Sequence, residues 1–187
     1  SGNDQKVEYF TMASQGNGIT FGELSSGRGY ASGTSTSTRC LVAGGYDPGS
    51  VTNKIEYAQI MTLGNHLDFG DLSVARNSLG ACNTPVRSVF VGGSAPSPYA
   101  GTDTIDFVVT SSTGNATDFG DMTVVASYTG GSSSSPTRMC VYDSSSPSVK
   151  NIEKIEIATT GNGVDFGDTV VAHYAGGSNV SNGHGGL

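Results

Sequence analysis

Phe-Gly occurs four times in this chain at nearly even intervals: Phe21-Gly22, Phe69-Gly70, Phe119-Gly120 and Phe166-Gly167, separated by 48, 50 and 47 residues. Two further markers keep step with it. A Gly-Asn pair begins five residues before each Phe (Gly16-Asn17, Gly64-Asn65, Gly114-Asn115, Gly161-Asn162). An aliphatic-acidic pair leads each unit (Val7-Glu8, Ile55-Glu56, Ile105-Asp106, Ile152-Glu153). Three markers in register along 187 residues make this an internal-repeat protein. A lone unit of this length cannot bury both its faces, so neighbouring units must stack.

Each full unit reads as four short strands. In the unit that starts at Arg76, Leu79 to Cys82 is a strand ending at the turn Asn83-Thr84-Pro85, and Arg87 to Val91 is a second, apolar strand closed by Gly92-Gly93. After a Pro/Ser/Gly loop, Thr104 to Thr110 is a third strand with Ile105, Phe107 and Val109 on one face. Gly114-Asn115 then makes a turn, because both residues tolerate positive φ, and a fourth strand runs through Phe119 to about Val124. Four strands per period is the pattern of a propeller blade and not of a helical solenoid. The expectation is one all-β domain over residues 1–187, a small β-propeller of about four four-stranded blades. Its units are a partial one at 1–26, full ones at about 27–75, 76–124 and 125–171, and a partial one at 172–187. Pairing of the two terminal halves would complete a blade and close the ring, removing sheet edges; the stretch Asn182 to Leu187 is a poor second strand. The runner-up architectures are a β-solenoid and part of a larger propeller.

Composition narrows the function classes. With 28 Gly and only 13% charged residues the chain could be disordered, but Val, Ile, Phe, Tyr and Thr recur in short alternating runs, which calls for strands separated by turns. No apolar stretch approaches the ~18 residues of a membrane-spanning helix, so no membrane insertion is expected. The net charge is −7 with nine scattered Lys and Arg, which argues against nucleic acid and anionic membrane surfaces as partners. Cys40, Cys82 and Cys140 are an odd set; Cys40 and Cys140 sit in apolar runs, where free Cys packs as a small hydrophobe. The polar opening Ser1-Gly2-Asn3-Asp4 predicts no signal peptide, and the absence of an initiator Met fits processing or a larger parent polypeptide.

A diglycine closing the second strand (Gly44-Gly45, Gly92-Gly93), followed in the third by an aliphatic-acidic-aromatic triplet (Ile55-Glu56-Tyr57, Ile105-Asp106-Phe107), resembles the kelch repeat. The Arg that often follows the fourth strand in that family is matched by Arg28 and Arg76. The chain departs from the family in having no Trp, with Phe in its place, in carrying Asp143-Ser144 for the third diglycine, and in placing Ala126 where the Arg would stand. The run Thr113 to Val124 and the ending Ser181-Asn182-Gly183-His184-Gly185-Gly186-Leu187 resemble tail-fibre-like virion proteins of bacteriophages, particularly cyanophages, and that ending looks like a natural C-terminus. The resemblance implies an extracellular-facing virion protein of the tail or a capsid appendage, with a host surface glycan or receptor, or other virion proteins, as partners. It leaves self-association into a homo-oligomer open.

Chemistry-bearing patterns reduce to architecture on inspection. Asp-Phe-Gly at Asp68, Asp118 and Asp165 matches a protein-kinase triplet, but the phosphate loop, strand Lys and catalytic loop that phosphoryl transfer needs are absent, and a motif repeated once per unit is structural. The glycines at 16, 18 and 22 and at 161, 163 and 167 lack dinucleotide-binding spacing. The acid pairs Asp68/Asp71, Asp118/Asp121 and Asp165/Asp168 offer oxygens to Ca²⁺, although Asp in a Gly-rich turn more often caps its own backbone amides. Nothing brings two of them together as a glycosidase pair. His66, His173 and His184 share no metal-ligand spacing; His66 is expected to be solvated in a loop, and no Cys-His pairing or Gly-x-Ser-x-Gly elbow is visible. Arg39, Arg87 and Arg138 fall at equivalent second-strand positions and read as structural. The expectation is a protein without cofactor, metal or catalysis.

What remains is display. The segment after each second strand varies most: Tyr46-Asp47-Pro48-Gly49, Ser94 to Tyr99, and Tyr142-Asp143-Ser144. Variable loops on a rigid scaffold are where binding resides, and Tyr can stack on a sugar ring while its hydroxyl bonds to sugar hydroxyls. Tyr46, Asp47, Tyr99, Tyr142 and Asp143 are the candidate ligand-binding residues.

Overall fold

The computed structural model describes residues 4–96, 100–143 and 150–172. Every helix-or-strand element among them is a strand. In chain order these are β1 (Lys6–Tyr9), β2 (Ile19–Glu23), β3 (Ser32–Ser35), β4 (Arg39–Ala43), β5 (Tyr46–Asp47), β6 (Ser50–Val51), β7 (Lys54–Gln59) and β8 (Leu67–Asp71). They continue as β9 (Gly80–Asn83), β10 (Arg87–Val91), β11 (Thr102–Val109), β12 (Thr117–Ala126), β13 (Thr129–Ser134), β14 (Arg138–Asp143), β15 (Asn151–Glu156) and β16 (Val164–Asp168). The protein is all-β and its sheets are antiparallel. Three four-stranded sheets follow one another, β3-β4-β7-β8, β9-β10-β11-β12 and β13-β14-β15-β16, preceded by the two-stranded β1-β2; β5-β6 is a separate small hairpin. The four strands expected after Arg76 appear as β9 to β12, with the fourth running on to Ala126. The expected pairing of the chain ends falls on residues 172–187, and 173–187 lie outside the described residues.

The Phe-Gly landmark is a β-bulge. On β8, Gly70 faces Ile55 and Asp68 faces Glu56, which leaves Phe69 without a counterpart. The same register shift skips Phe21, Phe119 and Phe166. A bulge leaves one residue unpaired and re-aims it, and Gly beside it supplies the positive φ: +142° at Gly70, +144° at Gly120 and +142° at Gly167.

The freed backbone group is then used between sheets. The Phe21 carbonyl accepts the Gly64 amide at 3.0 Å, the Phe69 carbonyl accepts Gly114 at 2.7 Å, and the Phe119 carbonyl accepts Gly161 at 2.8 Å. Two residues on, the carbonyls of Glu23, Asp71 and Asp121 accept the amides of His66, Ala116 and Gly163 at 2.7 to 2.8 Å. The Asn of each Gly-Asn turn adds a third bond. The Oδ1 atoms of Asn65, Asn115 and Asn162 accept the amides of Glu23, Asp71 and Asp121, each at 3.1 Å. At Gly22, Gly70 and Gly120 a Cβ would run into the backbone of the facing Gly-Asn turn, so only Gly permits this approach. Two of the three sequence markers, Phe-Gly and Gly-Asn, therefore have one cause, a latch from each sheet to the next.

Between the latched sheets lie two apolar layers. One holds Leu41, Ile55, Phe69, Leu79, Phe90 and Val108; the other holds Val89, Val91, Ile105, Phe119, Met139 and Ile155. The sheet β9 to β12 contributes to both, so its two faces are covered. For that reason the expectation of one buried face on β11 is only half met: Ile105 is fully buried, but so are Asp106 and Val108 on the other face, whereas Val109, next to the turn, is exposed.

The acid of each aliphatic-acidic pair ties down the link arriving from the preceding sheet. Glu56 accepts the Ser25 amide and Asp106 the Ser73 amide, at 3.0 and 3.1 Å. Each is paired with a buried arginine, Arg28 with Glu56 and Arg76 with Asp106. In the unit where Ala126 stands at the arginine's repeat position, Glu153 is satisfied instead by the Thr123 and Val124 amides, the Thr123 hydroxyl and Asn151 Nδ2.

Candidate functional site

Tyr46 and Asp47 are β5, and they fold back through a turn with Gly49 at φ +109° to pair with Ser50 and Val51. The resulting hairpin is fastened to the entry of its own unit. Tyr46 and Gly29 exchange backbone hydrogen bonds at 2.7 and 3.0 Å, and Asp47 Oδ2 accepts from Ser26 Oγ at 3.0 Å while facing Lys54 Nζ at 3.7 Å. Next to Gly29 stands Tyr30, with a left-handed backbone at φ +57° and a side chain 73% exposed. A tyrosine in this conformation costs on the order of 1–3 kcal/mol and is held only where the surroundings over-determine it. Here the Tyr30 carbonyl is fixed by the Ser78 amide at 2.9 Å, and Ser78 repeats the left-handed geometry one unit later at φ +55°. Tyr30 was missed in the sequence, where nothing distinguishes it from other surface aromatics. The one available signal was its position two residues after the Arg that follows the fourth strand.

The other candidates are placed differently. Tyr99 lies outside the described residues. Tyr142 and Asp143 lie in β14 and not in a loop: Tyr142 is half-buried between Gly130 and Ile152, and Asp143 stands opposite Thr129. Tyr142 holds the place of Ala43 and Val91, which end β4 and β10. Gly44 and Gly92 follow those strands at φ +62° and +59°, and with Asp143 at this point β14 continues one residue further. The structure thus fastens the Tyr46-Asp47 hairpin to Gly29, the neighbour of Tyr30, and leaves Tyr142 and Asp143 in another sheet.

His66 is a correction to the sequence reading. It is buried, not solvated, at 6% exposure, because it follows the Gly64-Asn65 turn and packs on Phe21 of the preceding sheet, ring centroids 6.2 Å apart. Its Nε2 lies 3.8 Å from Cys40 Sγ, a Cys-His approach that sequence inspection did not find. Burial sets the character of this pair: it pushes the Cys40 thiol up and the His66 imidazole down, so both are held neutral. A thiolate-imidazolium nucleophile requires the opposite shifts.

The repeated acids do local work. Asp118 and Asp165 accept the amides of Gly120 and Gly167 at 3.1 and 3.0 Å, the Asx geometry of a capping side chain. Among the described residues no three His, Cys, Asp or Glu side chains gather as a metal-holding group. Arg39 lies 4.4 Å over the Tyr57 ring and donates to the Thr110 carbonyl of the next sheet; Arg87 lies over Phe107 and donates to the Ile157 and Ala158 carbonyls. Arg138 pairs with Glu156 of its own sheet in the open.

These parts define a repeat protein of latched antiparallel sheets that carries a tyrosine-bearing hairpin beside one sheet junction. No family model and no curated protein matches the chain.

Proposed function

We propose that the chain is a non-catalytic interaction module of a virion, tail-fibre-like, whose sheets are blades of a kelch-like propeller and whose hairpin side meets a host surface glycan or receptor. The observation that carries this reading is Tyr30, an exposed aromatic next to Gly29, whose backbone is bonded to Tyr46 of the hairpin. An exposed aromatic near carboxylate and hydroxyl groups is the chemistry that binds a sugar ring; the left-handed backbone recurs at Ser78 and belongs to the repeat. The resemblance of the repeats to phage tail-fibre proteins supports the virion setting, and the neutral Cys40-His66 pair supports a non-catalytic role. The test is binding of the purified protein to a glycan array and to host cells. Retention on a defined class of glycan, lost at least tenfold in Tyr30→Ala, supports the reading, and a blank array with no cell adsorption contradicts it.

A second reading is that the module is a spacer or decorating subunit contacting neighbouring virion proteins. The latch favours it, because three successive junctions built from the same backbone bonds make a stiff array. Virions lacking the protein would then adsorb normally and lose stability.

A further inference from the structure

The two end sheets carry the same latch parts as the internal junctions, without their mates. At the C-terminal end the bulge is fully formed, with Ile152 facing Gly167, Glu153 facing Asp165 and Gly167 at φ +142°. Yet Phe166 is 60% exposed, where Phe21, Phe69 and Phe119 are buried. A Cβ added at Gly167 would meet nothing within 4 Å, where the corresponding glycines abut the following turn. Among the described residues Arg138, the counterpart of the cross-sheet donors Arg39 and Arg87, pairs with Glu156 of its own sheet and with no carbonyl of another.

The N-terminal end is the reciprocal case. Asn65, Asn115 and Asn162 each accept an amide from the sheet before, and Glu56, Asp106 and Glu153 each accept amides from the arriving link. Asn17 and Glu8, at the same repeat positions, accept none among the described residues. Phe10 is 70% exposed, although the residues at its position in the later units, Ala58, Val108 and Ile155, are all buried. Among the described residues, one end therefore offers a bulge carbonyl and an exposed Phe without their mates, and the other offers turn amides, an Asn oxygen and a carboxylate.

We propose that the C-terminal sheet of one copy docks on the N-terminal sheet of a second copy and forms a fourth latch. In it the Gly16 and Gly18 amides donate to the Phe166 and Asp168 carbonyls, and Asn17 Oδ1 accepts the Asp168 amide. The occupant is a second copy because the interface continues one that this chain already makes three times with itself, and because among the described residues the chain's own two ends are not latched to each other. Such an interface is heterologous, so it propagates head to tail and ends either in a closed ring or in an open filament. It does not depend on what the hairpin side binds.

The test is sedimentation of the full chain over a wide concentration range. Wild-type protein is expected to form multiples of 19.0 kDa that grow with concentration. Phe166→Asp, which charges the exposed tail face, and Gly16→Pro, which deletes the head amide, are each expected to remain monomeric with an unchanged circular dichroism spectrum. Mixed one to one, they keep one intact tail and one intact head, and are expected to form a dimer and nothing larger. Phe166→Ser repeats the tail measurement should the Asp variant fold poorly. Wild-type protein that stays monomeric at all concentrations, variants that associate as wild type does, or a mixture that yields no dimer would each overturn the proposal.

Discussion

Phe119 and Phe166 hold the same place in the same repeat, skipped by the same bulge and followed by a glycine of nearly the same φ, yet one is buried and the other exposed. The difference lies wholly in the next sheet. Phe119 is covered by the sheet whose Gly161-Asn162 turn its carbonyl grips; no such sheet covers Phe166 among the described residues. Local structure is thus decided inside a unit, by Gly, Asn and the bulge, and burial is decided between units. This is the division expected of a quasi-one-dimensional repeat array, in which stability is a sum of weak units and strong interfaces.

Truncating the two phenylalanines puts that division to the test most forcefully. Phe119→Ala should cost about 3–5 kcal/mol in urea unfolding by opening a cavity in a packed layer, whereas Phe166→Ala should fall within about 0.5 kcal/mol in a dilute, monomeric sample. Equal losses would mean that the bulge Phe stabilises its own sheet and not the junction.

A second contrast separates two ion pairs. Arg76 and Asp106 are both fully buried at 3.1 Å, and burial lowers the Arg76 pKa against the opposing pull of Asp106. Arg138 and Glu156 are exposed. Arg76→Met should cost about 3–5 kcal/mol, because it strands the Asp106 carboxylate away from water, and Arg138→Met less than about 1 kcal/mol. The buried pair is incompletely satisfied, with Arg76 Nε and Nη1 and Asp106 Oδ1 lacking partners. Replacing both members by apolar residues should therefore recover most of the loss, and a double variant as unstable as the single one would refute this account of the junction.

The smallest expected effect concerns pH. Burial is the main cause that lowers the His66 pKa in the folded protein, so the folded state binds this proton less readily than the unfolded chain does. The stability this contributes is complete above the unfolded-chain value of about 6.5, and is lost as pH falls from there through the lowered folded value. His66→Leu should flatten the unfolding free energy across that window, and an unchanged slope would show that other groups carry it.

The sequence made the period, the strand order and the turn positions legible, because each depends on chemistry confined to a few residues: glycine where φ is positive, Asn at a turn, alternation along a strand. Gly70 and Asn115 could be recognised as landmarks, but that one grips the other's turn is a contact between units. His66 looked solvated because its cover, Phe21, belongs to the preceding sheet. Tyr142 holds the place of Ala43 and Val91, the last residues of β4 and β10, and Asp143, in the place of the glycine that closes those strands, extends β14 by one residue. Tyr30 carries only a positional signal, two residues after the Arg, because its left-handed backbone is bonded to Ser78 of the next unit.

Amide hydrogen exchange resolved to single residues, on a sample dilute enough to be monomeric, addresses the latch itself. The Gly64, Gly114 and Gly161 amides, each donated to a bulge carbonyl of the preceding sheet, should be protected to nearly the free energy of global unfolding, while the Gly16 amide exchanges as an open turn. If Gly114 were to exchange as fast as Gly16, the sheets would not be joined through their bulges.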